Sequence, residues 1–336
     1  MANTIPKQVI IEVTNRCNLQ CKFCPSITND GKFPVGDMSL GLFKSIVDRI
    51  AIEFPGSTVI PWMNGEPFLH PQYLEMIRHL NAKGLRFYVT TNLTQWHPDI
   101  IAELLRSDSN CYQLIVSIDG LPGSGSIAKA RPGTDEDALL ANMRRLLAMH
   151  RDMGSKTDVA VKICERGQDW GEIEDYIQYW LEIPEISYAC VGKPLKDVNE
   201  SSMRQDPCQY FDNNFMVIRH TGDLVVCAYN DACANGLAHS YGVVTMDNSL
   251  RQLYNNRFIT ALRDEQNVGR FHGPCQACGF AYTGQGFNGR IAFRSDPGRQ
   301  YYFQQDYYNS FFSKTRDWKP NSYYGGLDLQ EEPDGN

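Results

Sequence analysis

No run of apolar residues in this 336-residue chain approaches the roughly 20 needed to cross a bilayer as a helix. No membrane-spanning segment and no membrane partner is therefore expected. Nor is there an excess of positive charge: 32 Lys and Arg stand against 39 Asp and Glu, a net charge of −7. That argues against nucleic acid as the main partner. The opening residues, MANTIPKQVIIEVTNRC, lack the long apolar core of a signal peptide, so the expected location is cytoplasmic. Disulfides are rare in a reducing cytosol, and the eleven cysteines accordingly read as thiols. With 42% hydrophobic and 21% charged residues, the chain can bury a sizeable core in one large domain or two ordinary ones.

What is present is a regular alternation. Strand-like runs occupy residues 8–14, 57–63, 86–92, 113–119, 158–165 and 186–192. Helical periodicity fills the gaps. In SLGLFKSIVDRIAIEF, Leu42, Phe43, Ile46, Val47 and Ile50 share a face behind Ser39 as N-cap. Further helices are expected from near Pro71, Pro98, Asp135 and Trp170. Six such units read as parallel β/α, closing into a full or partial barrel or opening into a doubly wound sheet.

The pattern changes near residue 200. Residues 214–230 suggest a β-hairpin turning at Thr221-Gly222-Asp223, with Cys227 ending its second strand. Residues 249–266 read as one helix, GPCQACG (273–279) as a tight cysteine loop, and the chain from about 286 as an irregular tail rich in Tyr, Phe, Asn and Gln. The expected division is 1–200, 201–285 and 286–336.

The segment CNLQCKFC, residues 17–24, carries three cysteines directly after the first strand. A lone cysteine is usually a small buried core residue, but three in eight positions of a polar loop are not. Zinc favours C-x2-C pairs and a fourth ligand; here the spacing is C-x3-C-x2-C with no fourth ligand close by. Three thiolates on a cluster that takes four ligands leave one iron open.

This motif resembles that of the radical S-adenosylmethionine (radical SAM) superfamily. The resemblance implies a partial (β/α)6 TIM-like barrel whose Cys17, Cys21 and Cys24 hold a [4Fe–4S] cluster. The open iron chelates SAM, and electron transfer releases a 5′-deoxyadenosyl radical that abstracts a substrate hydrogen. Other segments agree with the family. Phe23 matches the aromatic near the SAM adenine. Asn64-Gly65-Glu66-Pro67 resembles the GGEP segment whose backbone holds the SAM amino group, with Asn64 where Gly is usual. Thr91 and Asn92 end the third strand, Ser117 and Asp119 the fourth, and Arg131 precedes the next helix. All fall at strand C-terminal ends, where barrel enzymes assemble their sites.

Cys208, Cys227, Cys275 and Cys278 suggest a second metal site, for which zinc is a fair rival. C-x13-G-x4-C around Gly222 resembles the start of the SPASM/twitch region, and no cysteine follows Cys278. The resemblance thus implies the shorter twitch form with one auxiliary [4Fe–4S] cluster, two clusters in all. Cys233 is either a ligand in place of Cys208 or a free thiol. Val159, Val161 and Ile163 share one strand face, which leaves Lys162 and Cys164 on the other. Cys164, Cys190 and Cys233 are candidate hydrogen donors, Lys162 a candidate catalytic residue, and Cys111 a plain thiol; a small buried core residue is the competing reading of Cys164 and Cys190.

The expected substrate is a polar, sugar- or aminocyclitol-like molecule, oxidised or epimerised, with oxidation slightly favoured because an epimerase needs no net electron acceptor. Cys17 lies too near the start for a leader-binding domain of ~80 residues to precede the first strand, which tilts the expectation away from a peptide. Peptide maturation by crosslinking or epimerisation remains the alternative, and a non-catalytic iron–sulfur electron carrier or sensor a further one. A reducing partner such as flavodoxin or ferredoxin is implied.

Overall fold

The six apolar runs form the centre of one sheet in a computed structural model that describes residues 4–21, 23–24, 34–192, 215–228 and 240–271, with the backbone of 290–294 and 301–304. The strands are β1 (Gln8–Ile11), β2 (Thr58–Ile60), β3 (Phe87–Thr91), β4 (Cys111–Ser117), β5 (Asp158–Cys164) and β6 (Ile186–Gly192), each parallel to the next. Parallel strands covered on both faces must be apolar almost throughout. The QVII of β1 is buried at every position.

The connections carry α1 (Leu40–Glu53), α2 (Tyr73–Ala82), α3 (Pro98–Leu105), α4 (Ser126–Ala130), α5 (Glu136–Asp152) and α6 (Trp170–Leu181). Ser39 caps α1 by accepting from the Leu42 amide, and Asp135 caps α5 by accepting from Ala138. Each such cap contributes about 1 kcal/mol. Phe43, Ile46, Val47 and Ile50 of α1 are buried in the helix-side core, while Leu42 packs at its rim. Burying each such side chain contributes roughly 1.5–3 kcal/mol.

Two apolar clusters lie on the two faces of the sheet. Val159, Val161 and Ile163 of β5 belong to the helix-side core, whereas Ala160 belongs to the inner one with Ile10, Ile60, Ile115, Tyr188 and Cys190. Alternation places Lys162 and Cys164 on the inner face with Ala160. Cys111 lies in the helix-side core as a plain thiol, its sulfur donating to the Gln113 carbonyl at 3.2 Å.

On the far side of β1 the sheet continues through β7 (Phe215–Ile218), parallel to β1, then β8 (Asp223–Val225) and β9 (Gly242–Val243), both antiparallel. The expected hairpin is β7–β8. Its turn needs Gly222: φ is +91°, and a Cβ there would sit 2.9 Å from the Val244 carbonyl. Cys227 lies two residues past β8 instead of ending it.

Two expectations are corrected. Residues 249–266 form two helices, α7 (Leu250–Tyr254) and α8 (Arg257–Asn267). The Asn256 side chain accepts from the Phe258 and Ile259 amides, so it starts a new helix where a continuous one was expected. The tail is not wholly irregular: β10 (Arg290–Arg294) pairs antiparallel with β6, and β11 (Tyr301–Gln304) with β10. The free edge of β6 supplies the backbone partners that make a strand of RIAFR. The sheet order is β11-β10-β6-β5-β4-β3-β2-β1-β7-β8-β9. The architecture is the expected α/β partial barrel of six parallel β/α units, with a sheet that stays open. Among the described residues no helix is long and apolar enough to cross a membrane.

Candidate active site

The loop after β1 carries Cys17, Cys21 and Cys24, all free thiols: Cys17 exposed, Cys24 half-buried and Cys21 buried. Loops from the C-terminal ends of β2, β3, β4 and β5 each touch this segment.

From β2, the Glu66 amide donates to the Arg16 carbonyl at 2.7 Å. Gly65 lies so close that a Cβ would sit 2.5 Å from that carbonyl oxygen, and its φ is +78°. Only glycine meets both demands. The buried Glu66 carboxylate accepts from the Thr91 hydroxyl at 2.7 Å, the Asn92 amide at 2.7 Å and the Phe68 amide at 3.2 Å. Burial raises its pKa, and these donors oppose the rise. Glu66 thus joins β2 to β3, and Pro67 opens a 3-10 turn, Pro67–Leu69, directly after it. From β3, Asn92 donates to Asn18 inside the cysteine segment at 3.0 Å and accepts from the Thr94 amide at 2.9 Å.

Asp119, just past β4, is fully buried between two partners: the Arg131 guanidinium on one oxygen and the Cys164 amide on the other. Arg131 in turn reaches the Cys21 sulfur at 3.9 Å and lies over the Phe23 ring, 5.6 Å from its centroid. Burial pushes the Cys21 thiol up to about 11, and the Arg131 charge works against that. The Gln20 amide donates to the Pro132 carbonyl at 3.2 Å, closing the contact.

From β5 comes Arg166, which the sequence reading missed. Its guanidinium lies 5.3 Å from the Phe23 centroid and donates to the Asp119 carbonyl at 2.9 Å. A basic residue just past a strand's C-terminal end was the available signal. Glu12 and His220 were missed as well. Glu12 is a charged residue in an apolar strand run, and it accepts from His220 Nδ1 at 2.9 Å and from Asn64 Nδ2 at 3.1 Å.

On the inner face, Ser117 of β4, Lys162 of β5 and Cys190 of β6 stand in register as one transverse row, with Cys164 one step nearer the loops. Burial pushes the Cys164 thiol up to about 12. Cys227 is half-buried and packs against the inner cluster. Cys208, Cys233, Cys275 and Cys278 lie outside the described residues.

A loop of three thiols with a guanidinium on one of them, framed by four other strand ends, has the makings of an iron–sulfur site of barrel type. The sequence matches the radical SAM superfamily over residues 11–178, half of the chain, and the chain belongs to that family. It is 25% identical over 180 residues, 53% of this chain and 49% of the relative, to a tungsten-containing aldehyde ferredoxin oxidoreductase cofactor-modifying protein of Pyrococcus furiosus. It is 28% identical over 127 residues, 35% and 33% of the two chains, to the mycofactocin maturase MftC of Mycobacterium ulcerans. These matches span a third to a half of the relatives' own lengths. In fold it resembles Streptococcus suis SuiB, solved bound to S-adenosylmethionine, with a TM-score of 0.59 at 14% identity over 77% of this chain and 68% of SuiB. It also resembles BtrN, solved with AdoMet and 2-DOIA, at 0.50 and 13% over 80% and 89%.

SAM and the family's [4Fe–4S] cluster follow from that membership. The donors present fit the cluster: three free thiols in one loop, one of them facing a cation that favours its thiolate. Among the described residues no three His, Cys, Asp or Glu side chains are already gathered tightly enough to hold a metal ion. The fit therefore rests on the donor set and its surroundings.

Proposed function

We propose that the chain acts on a polar, sugar- or aminocyclitol-like substrate held against the inner face of the sheet, using electrons from a flavodoxin- or ferredoxin-like partner. Cys17, Cys21 and Cys24 would hold the cluster. Phe23, the 64–67 backbone, Thr91, Asn92, Ser117 and Arg131 are the proposed surroundings of SAM. The carboxylates of Glu66 and Asp119 are already engaged by protein donors, so their proposed role is to position their neighbours. When bound, SAM and the cluster supply a 5′-deoxyadenosyl radical that can abstract a substrate hydrogen.

The observation that carries the reading is the row Ser117–Lys162–Cys190 with Cys164 beside it. Lys162 offers a cation to a polar substrate on a face that also carries Ile10, Ile60, Tyr88, Ile115, Ala160 and Tyr188. A thiol returns a hydrogen atom only while it keeps one, and burial holds Cys164 protonated far above neutral pH. Cys164 is also joined through Asp119 and Arg131 to Cys21. These residues equip hydrogen return to the substrate, which is epimerisation, and one electron and one proton would then restore the thiol. Oxidation remains the outcome if an auxiliary cluster on Cys208, Cys227, Cys275 and Cys278, in a unit spanning 201–285, accepts the second electron. The relationship to the mycofactocin maturase supports a second reading, in which the substrate is a peptide.

Turnover in deuterated water decides between the outcomes, because a thiol exchanges its proton with solvent. One deuterium at the attacked carbon, lost in Cys164→Ala, is the expected result. A product two mass units lighter without deuterium would show oxidation instead.

A further inference from the structure

Glu12 is fully buried one residue past β1, in an otherwise apolar run. A buried carboxylate is costly unless hydrogen-bonded, so its donors are informative. One oxygen accepts from Asn64 Nδ2 at 3.1 Å. The other accepts from His220 Nδ1 at 2.9 Å, with the His220 amide at 3.4 Å. These donors come from two separate parts of the chain. Asn64 opens the 64–67 segment, and His220 sits in the turn between β7 and β8. The imidazole is itself hemmed in, since a Cβ on Gly36 would lie 3.2 Å from its Nε2. Burial lowers the pKa of Arg219, next to His220, and the charges of Glu12 and Asp223 oppose that shift. A glycine at position 64 could not make the first of these bonds.

We infer that Glu12 is a positioning residue that clamps the 64–67 segment to the β7–β8 hairpin, so that the SAM site and the hairpin leading to Cys227 respond as one unit. The inference rests on the proposed role of residues 64–67 toward SAM.

The test uses the full chain, reconstituted anaerobically, in four variants: Asn64→Gly, His220→Ala, their combination, and His220→Asn. SAM binding should weaken by about tenfold in each of the first two, ~1.4 kcal/mol. The combined variant should lose far less than the hundredfold of independent sites, since both changes break one clamp. His220→Asn keeps a donor at the δ position and should restore affinity to within about threefold. Amide exchange without SAM gives a second readout. Asn64→Gly should speed exchange across 215–225, and His220→Ala should speed it across 64–67. Unchanged affinity in Asn64→Gly, full additivity, or exchange changes confined to the mutated segment would overturn the clamp. If His220→Ala does not fold, Asn64→Gly and His220→Asn still decide. Failure of the wild-type protein to bind SAM would sink the cofactor reading instead, and the exchange experiment would still judge the clamp.

Discussion

Asp119 offers a sharp test of how the site is held together. It has no exposed side-chain surface, and its partner Arg131 keeps only 12%. Replacing it by Asn leaves the Cys164 amide an acceptor but strips the guanidinium of its counter-charge, with an amide N–H turned toward it. Removing one member of a buried ion pair typically costs about 3–5 kcal/mol, because the other charge stays buried alone. For a chain of this size that corresponds to a fall in melting temperature of roughly 4–7 °C. Denaturant unfolding of the apo-protein measures it without cluster or substrate. Arg131→Gln should cost a similar amount, since it leaves the fully buried Asp119 carboxylate without its counter-charge. The double variant should be less destabilised than the sum of the two, by about 1–3 kcal/mol. Asp119→Asn within about 1 kcal/mol of wild type, or strict additivity, would refute the claim that this pair organises the loop.

Much of this arrangement was legible in the sequence, for local reasons. Parallel strands covered on both sides leave apolar runs, so QVII, the core of QLIVSID and DVAVKIC declared themselves. The cysteine spacing, NGEP, TTN and SIDG fell at strand ends and Arg131 at the end of α4, and they are gathered around one loop. What escaped depends on distant partners. Glu12 and His220 are 208 positions apart, and no window of sequence joins them. Arg166 acquires meaning only when β5 brings it over Phe23. The break at Asn255-Asn256 was a local signal, outweighed by the helical periodicity on either side of it. The strands at 290–294 and 301–304 showed weak periodicity because their partners do most of their specifying, the edge of β6 for the first and β10 for the second.

Other outcomes follow from the same geometry. Gly65→Ala should misplace the loop: the positive φ alone costs about 1–3 kcal/mol, and the Arg16 carbonyl must also move, so SAM affinity should fall sharply in equilibrium binding; unchanged affinity would contradict the close approach. Replacing Cys17, Cys21 and Cys24 by Ala should halve the iron bound by the reconstituted protein, while a Cys275→Ala/Cys278→Ala variant should lose the auxiliary half; zinc at the second site after anaerobic purification would refute the auxiliary cluster. Because the Cys164 thiol is pushed up to about 12, its protonated form persists, and deuterium incorporation should be flat from about pH 6 to about pH 9. A loss centred near the ordinary thiol pKa of about 8.5 would point to a different donor.

The central claim is that the three-thiol loop and its four neighbouring strand ends form a working radical SAM site. The direct measurement is anaerobic incubation of the reconstituted protein with SAM and dithionite, followed by quantitation of 5′-deoxyadenosine and methionine. Both should form in equal amounts with the wild-type chain and fall to background in the Cys17→Ala/Cys21→Ala/Cys24→Ala variant. Wild-type yields no higher than those of the triple variant would contradict the account.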